Sequence, residues 1–449
     1  MSLITTDKQR IIIGLGQTGL SCARHLRRRG VPFALCDTRE GVAAAKAVRA
    51  EFPTVELRLG ELDGDWLARA GELIISPGVD KRHPAIAFAA AAGVPLRGDI
   101  DLFCLEASAP IVAITGSNAK TTVTTLLGEM ASAAGIKVGV GGNIGTPALD
   151  LLADPAELYL LELSSFQLET THQLRAAAAT VLNVSPDHLD RYDDLQEYVV
   201  TKQRIYRGAR VAVVNRDDPL TQPLLARGVQ QRSFGLDRPD LKEYGLLDHG
   251  GESWLARGLE PLLPVAALQL RGRHNLANAL AALALAEAVA IPRAAALQAL
   301  RRFTGLAHRC QWVAQVAGVN YYNDSKGTNV GATLAALEGL GATLPGDAGL
   351  ILIAGGVGKG QNFAPLAPAL RRYARELILI GRDADQIAAE VGAPRPHFAS
   401  DMVAAVARAK ALARPGDLVL LSPACASFDM FSGYSERGQA FIQAVEGLR

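Results

Sequence analysis

The stretch "ITGSNAKTT" has the residue types of a phosphate-binding loop, because an apolar strand leads through small residues to a lysine and two threonines. The usual form, G-x-x-x-x-G-K-[ST], has glycine before the lysine, but here Ala119 precedes Lys120 and the first loop glycine, Gly116, comes late. We expect Lys120 to reach the β- and γ-phosphates of a nucleotide, while Thr121 or Thr122 ligates Mg²⁺. A plain β-turn-α connection is the alternative. We expect a negative φ at Ala119, because a left-handed one would cost roughly 1–2 kcal/mol.

Acidic residues near two apolar strands are candidate metal ligands. "LYLLELSSFQLE" puts Glu162 inside an otherwise apolar strand, where an unpaired charge is costly, so a metal explains it better than a stray salt bridge. In "VLNVSPDHLDRY", Asp187, His188, Asp190 and Arg191 come just past a strand's carboxyl end, where open α/β sheets bind ligands. A lone histidine is usually structural, but this cluster in this place favours a site.

Lys202 lies in an unusual position for a lysine. It is three residues from both Val199 and Ile205, inside an apolar stripe at helical spacing. A partly buried lysine has a depressed pKa, and its neutral amine can react with carbon dioxide. Helix geometry alone allows equally well a lysine that snorkels at the edge of the stripe.

The N-terminal region carries a dinucleotide fingerprint. Gly14, Gly16 and Gly19 follow a strand and open a helix, and Asp37 ends the next strand, where it could bind a ribose. The fingerprint does not say whether the ligand is NAD or another diphosphate such as UDP, and a simple tight turn is the alternative.

Three loops in the last third of the chain could bind substrate. "NDSKGTN" places polar side chains after a strand, and "AGGVGKGQNF" resembles a phosphate loop in which Lys359 is followed by glycine, so the Mg²⁺-ligating hydroxyl is missing. We interpret the second as a substrate or anion loop. "SPACASFDMFSGYSERG" offers Ser427, Phe431 and Tyr434, although ordinary turn chemistry explains it equally.

The elements that carry these loops alternate from end to end between short β-branched runs and Ala/Leu-rich helices, which predicts α/β layers with mostly parallel sheets. At 449 residues, the chain is long enough for roughly three domains. We predict a Rossmann-like domain over residues 1–98, a central P-loop-type ATPase domain with a parallel sheet over 99–305, and a Rossmann-like C-terminal domain over 306–449.

The composition argues against several classes of protein. Forty-six basic residues balance 45 acidic ones, so bulk charge gives no support to nucleic-acid binding. The five cysteines are scattered, and neither a signal segment nor a membrane-length apolar run is evident. We expect a cytoplasmic monomer that does not insert into membranes.

Ten segments in order resemble the Mur ligase family, and the resemblance covers essentially the whole chain. They are "GLGQTGL", "ITGSNAKTT", "GGNIGTP", "LELSSFQLE", "SPDHLDRY", "TKQRIY", "GRHNLANA", "HRCQW", "YNDSKGTN" and "LLSPACASFDMF". The last segment and the short first domain favour D-glutamate as the amino acid added, rather than lysine or meso-diaminopimelate.

The resemblance implies an ATP-dependent ligase of peptidoglycan precursor synthesis. The carboxylate of UDP-N-acetylmuramoyl-L-alanine would attack the γ-phosphoryl group of ATP, and the amine of D-glutamate would then displace phosphate from the acyl phosphate. Two Mg²⁺ ions would be held by Thr121, Glu162, His188 and a carbamate formed on Lys202 from carbon dioxide.

The resemblance also implies contact residues for each substrate. Those for ATP are Gly116, Ser117, Asn118, Ala119, Lys120, Thr121, Thr122, Asn275, Arg309 and Asp324. Those for the UDP substrate are Gly16, Gln17, Thr18, Asp37, Thr38, Ser76 and Asn143. Those for D-glutamate are Lys326, Thr328, Lys359, Ser427, Phe431 and Tyr434.

The chain departs from the family pattern at two places. Ala119 replaces the usual glycine, and Val357 and Gly358 stand where relatives often carry an acidic residue. The alternatives are another Mur ligase, a folylpolyglutamate synthetase-like ligase, a nicotinamide-dependent oxidoreductase and a non-enzymatic nucleotide-binding regulator. The oxidoreductase leaves Lys120, Glu162 and the His188 cluster without a role.

Overall fold

The computed structural model describes residues 9–41, 44–188, 191–270, 272–392 and 394–448. Its first sheet is parallel, with strand order β3-β2-β1-β4-β5. The strands are β1 Arg10–Ile13, β2 Phe33–Asp37, β3 Leu57–Leu59, β4 Glu72–Ile75 and β5 Leu96–Arg97. The helices are α1 Gln17–Arg28, α2 Ala45–Glu51, α3 Gly64–Leu67, α4 Pro84–Ala91 and α5 Asp99–Glu106.

The second sheet has the order β14-β13-β12-β11-β10-β9-β6-β8-β7. Its strands are β6 Ile111–Thr115, β7 Val138–Gly142, β8 Leu158–Glu162, β9 Ala178–Val181, β10 Val211–Asn215, β11 Gln230–Phe234, β12 Tyr244–His249, β13 Glu252–Arg257 and β14 Glu260–Pro264. The helices are α6 Lys120–Ala133, α7 Ser165–Glu169, α8 Leu195–Gln203, α9 Arg273–Ala288 and α10 Arg293–Arg302.

The third sheet has the order β15-β16-β20-β17-β18-β19 and is parallel except for the β15–β16 pair. Its strands are β15 Gln311–Val316, β16 Val319–Asn323, β17 Leu350–Gly355, β18 Ala374–Ile380, β19 Pro396–Phe398 and β20 Leu418–Leu421. The helices are α11 Val330–Gly341, α12 Ala367–Tyr373, α13 Ala384–Val391, α14 Met402–Leu412 and α15 Tyr434–Glu446. Three sheets with helices between their strands confirm the predicted α/β class.

The central sheet is mostly parallel, as predicted, and carries an antiparallel extension at one edge. The seven strands β6 to β12 pair in parallel, but β13 and β14 extend the sheet in antiparallel fashion. Gly250 and Gly251, with φ of +67° and +81°, form the turn between β12 and β13. Such a two-glycine turn suits a hairpin because its backbone follows the twist of the strands.

The first two sheets share a hydrophobic core. One cluster of buried side chains runs from Ile12 in β1 through Phe103 in α5 to Val214 in β10. The Phe103 ring meets the Tyr159 ring edge-on at 5.0 Å. The two main clusters of the C-terminal sheet draw their buried residues from that part of the chain alone.

Candidate active site

The phosphate loop joins β6 to α6 and is fixed by the segment that follows β9. The Asn118 backbone N–H donates to Oδ1 of Asn183 at 2.8 Å, and the Ser117 hydroxyl donates to the Ser185 carbonyl at 2.9 Å. Lys120 folds back over the loop, where Nζ donates to the carbonyls of Gly116 at 2.8 Å and Ser117 at 3.0 Å. Burial lowers the pKa of Lys120.

Ala119 contradicts our expectation of a negative φ. Its φ of +66° and ψ of −6° place it in the left-handed region, directly before the first residue of α6. The anchors on Ser117 and Asn118 hold the preceding backbone, so the chain must turn sharply at residue 119 to enter the helix. Alanine therefore occupies a glycine-type conformation, at a cost of roughly 1–2 kcal/mol.

Glu162 ends β8 and is 3% exposed. Its Oε1 accepts a hydrogen bond from Nδ2 of Asn143 at 2.9 Å, whereas its buried Oε2 has no hydrogen-bond partner among the described residues. A buried carboxylate oxygen without a donor is costly, and a bound cation would satisfy it. The surroundings of Glu162 are therefore those expected of a side chain that coordinates a metal ion.

Lys202 projects from α8 to the underside of the phosphate loop. It is 1% exposed, so the snorkelling alternative is wrong. Its Nζ donates to the Gly116 carbonyl at 3.0 Å and lies 4.4 Å from the centre of the Tyr198 ring. Burial, and then the charge of Lys120, lower the pKa of Lys202 well below its ordinary value, which favours the neutral amine.

Asp187 and His188 lie together beyond β9. Nε2 of His188 is 3.7 Å from Oδ2 of Asp187, and the His188 ring packs against the Phe166 ring at 4.8 Å. Oδ1 of Asp187 is 3.6 Å from Nζ of Lys359, which lies in the loop after β17 of the third sheet. Burial alone would raise the pKa of Asp187, but the charges of His188, Lys359 and Lys120 outweigh it and lower the pKa. Asp190 lies outside the described residues.

The described residues contain no group of three or more His, Cys, Asp or Glu side chains that could hold a metal ion. The predicted ligand set contains only two residues of these types, Glu162 and His188, beside Thr121 and the carbamate of Lys202. The assignment of these four as ligands stays a prediction.

The C-terminal part of the chain contributes cations to the same site. NH2 of Arg309 donates to the Thr121 hydroxyl at 2.6 Å. Nζ of Lys326 lies 3.8 Å from the centre of the Tyr434 ring, and burial lowers the pKa of Lys326 to about 8. Burial raises the pKa of Asp324 to about 6.

These residues line three neighbouring cavities. A central cavity of about 680 Å³ contains, among others, Ser117, Lys120, Thr121, Glu162, His188, Arg309, Lys326, Thr328, Lys359 and Tyr434. A second, of about 290 Å³, contains, among others, Asn118, Ala119, Thr122, Asn275, Arg309, Asp324 and Lys326. A third, of about 490 Å³, contains, among others, Gly16, Gln17, Thr18, Asp37, Thr38, Ser76 and Asn143.

The central cavity shares residues with both others. Asn143 lines the central and third cavities, whereas Asn118, Ala119, Arg309 and Lys326 line the central and second cavities. A phosphate group in the central cavity could therefore meet ligands from both sides.

Four predicted site residues line none of these three cavities. The Gly116 carbonyl accepts bonds from both Lys120 and Lys202, and Lys202 is fully covered beneath the loop. Ser427 is 2% exposed, and Phe431 packs against a hydrophobic cluster of the third sheet.

Several residues that shape the site were not predicted from the sequence. Asn183 and Ser185 anchor the phosphate loop, and Asn329 contacts both Asn118 and Asp187. Arg39 pairs with Asp37 at 2.9 Å in the third cavity. The sequence could have indicated Asn183 and Ser185, because both are polar residues just past the carboxyl end of a strand.

No helix in the described part of the chain combines the length and the apolar character needed to cross a bilayer.

Family models match three successive parts of the chain. Residues 8–98 match "Mur ligase MurD-like, N-terminal domain", residues 114–286 match "Mur ligase middle domain", and residues 308–425 match "Mur ligase, glutamate ligase domain".

Similar proteins span the full length. The UDP-N-acetylmuramoylalanine--D-glutamate ligase of Pseudomonas aeruginosa is 58% identical over 449 residues and covers 100% of both chains. The ligase of the same name from Hahella chejuensis is 54% identical over 449 residues, again with 100% of both chains. The MurF ligase of Thermotoga maritima, solved in complex with ADP, has a TM-score of 0.63 at 16% identity, covering 99% of this chain and 97% of that one, which supports the fold alone.

Proposed function

Because the chain belongs to the Mur ligase family, we propose that it forms an amide bond between UDP-N-acetylmuramoyl-L-alanine and D-glutamate, driven by ATP. The observation that carries the proposal is the central cavity, which shares residues with the cavities assigned to the UDP moiety and to the adenosine. This continuity allows the γ-phosphate, the substrate carboxylate and the amine to meet. The reaction belongs to peptidoglycan precursor synthesis.

The reaction has two steps. A carboxylate oxygen of the UDP substrate attacks the γ-phosphorus of ATP, and the bond from that phosphorus to the bridging oxygen of ADP breaks. The amine of D-glutamate then attacks the acyl carbon, the carbon–oxygen bond to phosphate breaks, and the amine loses its proton. Lys120 and Arg309 stabilise the negative charge on the phosphoryl oxygens. Electrostatic stabilisation by preorganised groups is usually the largest single contribution to lowering the barrier of such a transfer.

Two Mg²⁺ ions would be held by Thr121 and Glu162 on one side and by His188 and carbamylated Lys202 on the other. Bound Mg²⁺ neutralises the oxygens of the transferred phosphoryl group. The unpartnered Oε2 of Glu162 supports a cation at that place.

Carbamylation of Lys202 accounts for its burial. Neutral Nζ attacks carbon dioxide, a nitrogen–carbon bond forms, and one proton leaves to water. The product keeps one N–H, which can retain the bond to the Gly116 carbonyl, and gains an anionic group that can ligate Mg²⁺.

The D-glutamate subsite would be formed by Lys326, Thr328, Lys359 and Tyr434 at the central cavity. Ser427 and Phe431 would take part through the loop after β20. We also propose the domain limits at residues 98 and 305, a monomeric state and a cytoplasmic location.

The function is tested by phosphate release from ATP. We expect release only when both UDP-N-acetylmuramoyl-L-alanine and D-glutamate are present, and not with L-glutamate, lysine or diaminopimelate in place of D-glutamate. Full-rate ATP hydrolysis with either substrate omitted would contradict the ligase. A change in nicotinamide absorbance without ATP would support an oxidoreductase instead.

The carbamate is tested separately. Lys202→Ala should lower kcat at least about a hundredfold, and added acetate or bicarbonate should restore part of it, because an anion can fill the space of the carbamate. Labelled bicarbonate should give a carbamate carbon signal in the NMR spectrum of the native enzyme that is missing from the variant. Lys137→Ala, at an exposed lysine, is the control and should keep both activity and signal. Full activity of Lys202→Ala would refute the carbamate role.

A further inference from the structure

Arg191 has no role in the proposed reaction, although its side chain is only 12% exposed. Its NH2 donates to the Val79 carbonyl at 3.0 Å and to Oε2 of Glu169 at 3.1 Å. The guanidinium also lies 4.7 Å from the centre of the Phe166 ring. Arg191 therefore touches the N-terminal and central parts of the molecule at once.

On one side, Arg191 holds the wall of the UDP cavity. Val79 lines that cavity with the neighbouring Ser76, Pro77 and Gly78. Nε of Arg191 is 3.7 Å from Oδ2 of Asp80 in the same loop. A bond to a backbone carbonyl fixes the path of the loop itself.

On the other side, Arg191 supports His188. The Phe166 ring beneath the guanidinium packs edge-on against the His188 ring at 4.8 Å, and the Arg191 backbone N–H donates to the His188 carbonyl at 2.9 Å. His188 has a φ of +56°, which is uncommon for a residue with a side chain and needs support from its surroundings.

We propose that Arg191 is a positioning residue that couples the two sites: filling the UDP cavity strengthens Mg²⁺ binding at His188, and Mg²⁺ strengthens binding of the UDP substrate. This inference rests on the proposed function for the identity of both ligands. Thermodynamic linkage requires the two effects to be equal. The coupling runs through Val79, Arg191 and Phe166 to His188.

The test measures binding rather than turnover. Mn²⁺ binding to the whole protein with ADP is followed by electron paramagnetic resonance, with and without UDP-N-acetylmuramoyl-L-alanine. For the native protein we expect the UDP substrate to tighten Mn²⁺ about fivefold or more, the lower end of ordinary coupling. Calorimetric titration of the UDP substrate, with and without Mn²⁺, should give the same factor. In Arg191→Ala the factor should fall to about one.

Lys81→Ala is the matched control. Lys81 is a half-buried cation in the same loop, and among the described residues no hydrogen bond or ion pair joins it to Arg191 or Phe166, so the coupling should remain. Arg82 does not serve as a control, because its guanidinium donates to the Arg191 carbonyl. Phe166→Leu leaves the backbone bond to Val79 possible and removes the ring between Arg191 and His188. Phe166→Leu should abolish the coupling without weakening the binding of the UDP substrate in the absence of metal. It provides a second test of the proposal if Arg191→Ala does not fold.

Three outcomes would overturn the proposal: a coupling factor of one in the native protein, a loss of coupling in Lys81→Ala equal to that in Arg191→Ala, or full coupling in Phe166→Leu. Binding of both ligands without coupling, beside normal phosphate release, overturns this inference alone. Failure of the native protein to bind the UDP substrate overturns the proposed function as well.

Discussion

Ala119 is strained because its neighbours are fixed from elsewhere in the fold. The anchors of Ser117 and Asn118 are 65 to 68 residues further along the chain, at Asn183 and Ser185. The Ala119 carbonyl also accepts the first bond of α6, from the Val123 N–H at 3.0 Å. These contacts impose the left-handed conformation, so the strain is part of the loop.

Ala119→Gly should raise the free energy of unfolding. Glycine removes roughly 1–2 kcal/mol of strain, while its greater freedom in the unfolded chain costs about 0.4–1 kcal/mol, so we expect a net gain of about 0.5–1 kcal/mol. Urea unfolding measures it. Ala290→Gly is a positive control, because Ala290 has a φ of +59° and lies outside the three cavities. A stability gain in Ala290→Gly but a loss in Ala119→Gly would contradict the strain at residue 119.

The sequence predicted the place of a site residue in the fold where the local context alone determines it. The positions of Lys120 and Glu162 follow from the strands that precede or contain them. The φ of Ala119 and the burial of Lys202 do not, because both depend on distant segments. Lys202 is covered by a loop whose Gly116 carbonyl is 86 residues away in the chain, and the helical stripe alone could not choose between burial and snorkelling.

At the scale of elements, α5 joins the first two sheets and begins with a buried carboxylate. Asp99 is 3% exposed, and its Oδ2 accepts from Nε2 of Gln167 at 3.0 Å, whereas Oδ1 has no partner among the described residues. Burial raises the pKa of Asp99 from 3.8 to about 6. The folded protein therefore binds this proton more tightly than the unfolded chain does.

The raised pKa of Asp99 predicts a pH dependence of stability. Between pH 4 and pH 6 the folded state holds more of this proton than the unfolded state, so the contribution of Asp99 to the free energy of unfolding should fall as pH rises, by on the order of 2–3 kcal/mol. Asp324, whose pKa burial also raises to about 6, should contribute a fall of the same sign. Asp99→Asn should lack the Asp99 share of the fall, so its stability should drop less with rising pH than that of the native protein. Urea unfolding of both proteins at pH 4.5 and pH 7 measures the difference. Asp65→Asn removes an exposed carboxylate and should follow the native curve. Parallel curves for the native protein and Asp99→Asn would contradict the prediction.

The sequence predicted the central strands better than the edge hairpins. Parallel strands such as β6 and β20 are buried throughout and read as short apolar runs. The strands β12 and β13 mix polar and apolar residues around "HGGE", and their pairing depends on the neighbouring β11 edge. Only the two glycines marked the turn, so the antiparallel extension escaped prediction.

At the scale of the whole molecule, the third sheet meets the phosphate loop and the Asp187 segment through polar side chains. Asn329 is central to this contact. Its Nδ2 donates to Oδ1 of Asn118 and to Oδ2 of Asp187, both at 3.2 Å, and its Oδ1 accepts from Nδ2 of Asn118 at 3.3 Å. Water can replace such bonds, so each adds little net stability. The arrangement of the third domain over the site should therefore be sensitive to single polar residues.

Asn329→Ala should separate domain closure from stability. Asn329 also caps α11, with Oδ1 accepting from the Ala332 N–H at 2.8 Å, so its loss should cost about 1 kcal/mol of unfolding free energy. Loss of the contacts to Asn118 and Asp187 should raise KM for D-glutamate about tenfold, because a loss of about 1.4 kcal/mol of binding free energy weakens binding tenfold. KM for the UDP substrate should stay within about threefold of the native value. Solution scattering should show a larger radius of gyration. Asp401→Ala is the matched control, because Asp401 caps α14 through the Ala404 N–H, also at 2.8 Å, and is exposed. Asp401→Ala should lose the same unfolding free energy, but its KM for D-glutamate and its radius of gyration should stay at the native values. If the two variants had the same KM for D-glutamate, Asn329 would only cap its helix.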